Sequence, residues 1–117
     1  MGNFRTLRVW QEAKELAVQI YKLTNAGDFS RDFGLRDQIR RAGVSVASNI
    51  AEGDELGTNK QAVRFFYISK GSAAEVITQA IIAFEIGYVN KENQDYIVDK
   101  TEKISSMLNK LIAARSR

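Results

Sequence analysis

The chain has 117 residues, 44% hydrophobic and 26% charged, which is the composition of a single folded domain. With no cysteine, histidine or proline, it has no disulfide, no thiolate nucleophile, no imidazole base and no histidine-dependent metal site, the di-iron centre of ferritin-like bundles included. A formal charge of +3 permits nucleic-acid binding without arguing for it.

Four segments show the helical period, and none alternates like a strand. The first helix is predicted over 7–23, where Val9, Trp10, Ala13, Leu16, Ala17, Ile20 and Tyr21 share one stripe. Residues 25–32 read as a loop, with Gly27 as helix terminator. The second helix is predicted over 33–52, with Leu35, Ile39, Ala42, Val46 and Ile50 inward, Gly53 as its stop and 54–57 as a turn. The third is predicted over 59–86. Thr58 and Gln61 have the spacing of a capping box, and Gly87 ends the helix. Asn90 caps a fourth helix over 91–114, striped by Ile97, Ile104, Met107, Leu108 and Leu111, and the residues through Arg117 are expected to fray. Four long helices on short connectors predict an all-α, antiparallel up-and-down four-helix bundle as one domain.

The third helix is apolar over more than half its circumference. Phe66, Ala73, Ile77, Ala80 and Phe84 make one face, with Phe65, Val76 and Ala83 on one side and Val63, Ala74 and Ile81 on the other. Lys60, Arg64, Gly71, Glu75 and Thr78 make the polar stripe, into which Ile82 intrudes. An outer helix of a monomeric bundle needs a stripe little wider than 100°, so either the third helix is the most buried of the monomer or it faces a second subunit, and the expectation favours a homo-oligomer.

Two polar sets stand out. Gln38, Arg41, Ser45, Asn49 and Glu52 share a flank of the second helix, and Ser72 and Glu75 follow Gly71 on the third. A close helix crossing at Gly71 would join them, with Arg41 pairing to Glu75 or Glu52. A network that fixes helix register fits these residue types better than a carboxylate or magnesium site made of Glu52 and Glu75. No catalytic residue, cofactor or metal is therefore expected, and the chain does not read as an enzyme. Arg36 and Arg40, four residues apart, could join Lys60, Arg64 and Lys70 as a phosphate-binding patch, against the plainer reading of a solvated basic face. Aromatic residues are not interleaved among these bases, apart from Tyr67 near Arg64.

Met1 to Trp10 has no apolar core of a signal peptide, and the longest apolar runs are far too short to span a membrane. Gly2 with Thr6 formally matches the N-myristoylation pattern, but a second membrane signal is missing. The expectation is a cytoplasmic protein.

Gln38-Ile39-Arg40-Arg41, Ser45, Asn49-Ile50-Ala51-Glu52-Gly53 and Gly71-Ser72 with Glu75 carry a resemblance, supported by Leu7-Arg8-Val9-Trp10 near the start and Ile86-Gly87-Tyr88-Val89 later. Together they resemble the four-helix bundle family named for the protein encoded in intervening sequences of bacterial 23S ribosomal RNA genes. A related protein is the accessory variability protein of diversity-generating retroelements. The resemblance implies a small bacterial bundle assembled as a barrel-like homopentamer, without enzymatic activity. It also implies RNA or DNA as a partner. The alternative it implies is a scaffold that docks a partner protein, in an accessory role to a reverse transcriptase, without nucleic-acid binding. Two departures stand out. Ser30 follows Phe29 where members commonly have proline, and Asp54-Glu55-Leu56-Gly57 is acidic where members are often basic.

Overall fold

The computed structural model describes residues 3–116. Gly2 and Arg117, on which the myristoylation pattern and the terminal fraying were read, lie outside them. One 3-10 turn, Phe4–Thr6, precedes helices α1 (Arg8–Leu23), α2 (Gly27–Arg31), α3 (Phe33–Glu55), α4 (Asn59–Glu85) and α5 (Lys91–Arg115). Among the described residues there is no strand, and no helix is long and apolar enough to cross a membrane.

The helix starts follow from local hydrogen bonding. The Asp32 side chain accepts from the Leu35 N–H at α3, Thr58 from that of Gln61 at α4, and Asn90 from that of Asn93 at α5. Each satisfies a donor that the first turn leaves unpaired. The Thr58–Gln61 pair is only half a capping box, because the Gln61 side chain meets the Thr58 hydroxyl at 3.2 Å rather than a backbone N–H. Gly87, at φ +88°, closes α4. Its own N–H reaches Phe84 O and the Tyr88 N–H reaches Ala83 O, the bonding of a Schellman cap.

The four long helices enclose one apolar core, with α1 against α3 and α5, and α4 against α3 and α5. Phe66, Leu16, Ile39, Val46, Ile50, Ile97, Ile104 and Leu108 are fully buried in it. Gln38 meets Gln79 and Ser45 meets Ser72, while Glu12 meets Lys100 and Lys103. The molecule measures 45 × 20 × 19 Å.

Three expectations are corrected. The 25–32 loop contains α2, a five-residue helix too short to show a period; Phe29, fully buried and 5.4 Å from the Tyr88 ring, holds it in place. Gly53 does not stop α3, which continues through Glu55. A Cβ there would lie 2.6 Å from Phe66 Cε1 and 3.1 Å from Ala62 O, so Gly53 marks a close approach of α3 to α4. Gly71 is no such crossing, since nothing lies within 4 Å of a Cβ built on it.

Asp32 links two connections of the bundle. Besides capping α3, it accepts from the Tyr88 hydroxyl at 2.9 Å. The Leu35 N–H and the Tyr88 hydroxyl hold its pKa below the ordinary 3.8. The charged form is thus favoured by folding. This stabilisation is present above the unfolded-chain value and is lost as pH falls through the lower folded value. Tyr88→Phe is expected to melt below the parent at neutral pH, and the gap should narrow below about pH 4. Thermal melts of both proteins across that range check it.

Candidate nucleic-acid interface

The five basic candidates do not form one patch in a single chain. Arg36 and Arg40 stand on the first half of α3. The Arg36 guanidinium donates to Ser30 O and to Asp37 Oδ1, both at 3.0 Å, and lies 4.6 Å from the Phe33 ring. Arg40 donates to Thr24 Oγ1 at 2.8 Å and stacks 4.5 Å from the Tyr21 ring. Tyr21 is therefore not a core residue but an exposed platform for Arg40. Lys60 and Arg64 occupy the first turns of α4, beside Phe66, which packs on Gly53 at the far end of α3. At 1.5 Å per residue the two pairs lie about 20 Å apart along the bundle. Lys70 faces α5 and donates to Asn109 Oδ1 at 2.6 Å. Arg36 is paired with Asp37, whereas Arg40, Lys60, Arg64 and Lys70 meet no carboxylate among the described residues.

The polar set splits as well. Ser45 and Ser72 share a hydrogen bond of 2.8 Å across the α3–α4 contact. Asn49 donates to Ser45 O and Oγ, and Gln79 donates to Gln38 Oε1 at 3.3 Å. These residues fix the register of the two helices. Arg41 forms no ion pair with Glu75 or Glu52, contrary to the expectation. Arg41 and Glu75 line one open cavity of about 340 Å³ with Gln38, Ser45 and Gln79; Glu52 lies in the neighbouring groove on the α1 side. Among the described residues no three acidic side chains converge as a metal site.

Three contributors escaped the sequence reading. The buried Ser69 hydroxyl donates to Val46 O at 2.8 Å. It sits three residues before Ser72, and that spacing was its signal. Thr24 and Gln79 gave none, because their partners lie 16 and 41 residues away.

A family model described as 23S rRNA-intervening sequence protein matches residues 5–110. The chain belongs to this family. A crystal structure from Bacteroides thetaiotaomicron VPI-5482, described as a protein with unknown function from the S23 ribosomal protein family, is similar to it. That structure is 23% identical, with a TM-score of 0.81 over 89% of this chain and 97% of the other, and it shows the shared fold. No curated protein matches the chain. In this member of the family the acidic run after Gly53 presents less charge than its sequence suggests. Asp54 is buried and its Oδ1 lies 2.8 Å from an Arg115 guanidinium nitrogen, which leaves Glu55 exposed.

Proposed function

We propose that this protein is a non-enzymatic, cytoplasmic, antiparallel four-helix bundle that assembles as a homopentamer and binds RNA or another nucleic acid through repeated basic surfaces. The observation that carries the reading is the set of uncompensated cations. Arg40, Lys60, Arg64 and Lys70 form no ion pair among the described residues, and each long-chain cation set against phosphate adds a salt-sensitive increment of affinity. Family membership supports it without naming a ligand. One chain presents two basic groups on a net +3; five copies present ten groups on about +15, enough for a strong steering field.

Fluorescence anisotropy with a labelled single-stranded RNA tests the reading. Affinity is expected to fall by about 10-fold or more between about 50 and 200 mM salt. Lys60→Glu with Arg64→Glu should weaken binding to a similar degree without altering the helical signal. Affinity that ignores both salt and charge reversal would overturn the proposal.

A further inference from the structure

Two apolar surfaces of the chain have no partner within it. One is a groove of about 580 Å³ between α1 and α3. Trp10, Val18 and Tyr21 wall it, and Val44, Ala47 and Ala51 form its other side. The second is the outer face of α4 and its C-cap, where Ile68, Ile81, Ile82 and Ile86 are exposed around the polar stripe of Gly71, Glu75 and Thr78. Isolated exposed apolar residues are ordinary, but contiguous ones mark contact surfaces.

These surfaces complement each other. The groove is concave and the helix face is a ridge. Lys14 and Lys22 border the groove, and neither meets a carboxylate among the described residues. Between Lys70 and Lys91, α4 and its cap carry Glu75 and Glu85 and no base; both acids are exposed and unpaired among the described residues. Gly71 stands on the same face. Glycine is unfavourable in mid-helix, and nothing in its own chain comes close enough to require it there. Gly71 leaves room on that face for a close approach from outside the chain.

We propose that the outer face of α4 in one copy docks into the α1–α3 groove of the next. The inference rests on the homo-oligomer proposed above and names the surfaces that join it. Because groove and ridge lie on different sides of the bundle, the contact is head-to-tail. Every added copy leaves one groove and one ridge free until a ring closes.

Complementary variants test it by light scattering on a sizing column. Val44→Glu spoils the groove and Ile82→Glu spoils the ridge. Both sites are exposed, at 42% and 45%, so the core should survive, and circular dichroism verifies that. Each variant alone is expected at the single-chain mass of 13.1 kDa. An equal mixture is expected at about 26 kDa, since one intact groove then meets one intact ridge and the complex stops at two chains. A second pair uses charge alone. Lys14→Glu with Lys22→Glu should weaken assembly, and Glu75→Lys with Glu85→Lys in the same chain should restore it.

A Val44→Glu or Ile82→Glu protein that keeps the parent mass would overturn the proposal. So would a mixture that stays at one chain, since the intact groove of one variant would then have failed to take the intact ridge of the other. A parent protein that is itself a single chain would overturn the oligomer together with this contact, and would leave the groove to a different protein. Failure to bind RNA by a parent that still assembles would count against the nucleic-acid reading alone.

Discussion

Phe66→Ala is expected to destabilise the fold by about 3–5 kcal/mol, read as a shift in the urea midpoint. The ring is fully buried and fills the space that Gly53 leaves on α3. Its removal leaves a cavity that Gly53 cannot help to fill. The converse substitution, Gly53→Ala, should cost about 1–3 kcal/mol, because its Cβ would meet Phe66 at 2.6 Å and backbone Ala62 O at 3.1 Å. The two changes are in contact and should not add. In a Phe66→Ala background the ring clash is gone, so Gly53→Ala should become much cheaper. Equal costs in both backgrounds would mean that α3 and α4 are held apart by something else.

Arg115→Ala is expected to cost about 2–3 kcal/mol, toward the low side for breaking a buried ion pair because Arg115 is a quarter exposed. Its partner Asp54 is only 4% exposed, and Asp54 Oδ2 has no hydrogen-bond partner among the described residues. Asp54 also sits in the last turn of α3, where the helix dipole disfavours negative charge. Without Arg115, the carboxylate keeps its desolvation cost and loses its compensation. Asp54→Leu in the Arg115→Ala background should recover most of the loss. Chemical denaturation of the two variants and the parent decides it; a double variant no better than Arg115→Ala would refute the account.

What was legible in the sequence was local. Asn90 and Thr58 announced their helices because a cap acts within three residues of itself. The inward stripes of α1, α3 and α5 followed from periodicity, apart from Tyr21, which is aromatic enough for a core yet serves Arg40 at the surface. Gly53 was ambiguous for a physical reason. Glycine after a periodic run can end a helix or admit a neighbour, and only the position of Phe66 distinguishes the two. The basic set failed differently. A helical wheel gives the direction of Arg40 or Arg64 around its own axis but not its height along the bundle. Residues on one imagined face therefore fell at opposite ends. Arg41 and Glu75 stand on the expected flanks and line one 340 Å³ opening between α3 and α4, yet they form no ion pair. The apolar excess of α4 was divided by the fold. Val76 and Ala83 went into the core, while Ile81 and Ile82 stayed outside.

The short connections between successive long helices bear on how the protein comes into being. Neighbours in sequence are mostly neighbours in space, a topology of low contact order, and such chains fold in microseconds to milliseconds. The sequence holds no proline, so no slow peptide-bond isomerisation interrupts the process. A single chain is therefore folded soon after synthesis. In the proposed homo-oligomer the encounter between chains, which depends on their concentration, is then the slow step, and the expression level of the gene sets the pace at which assemblies appear.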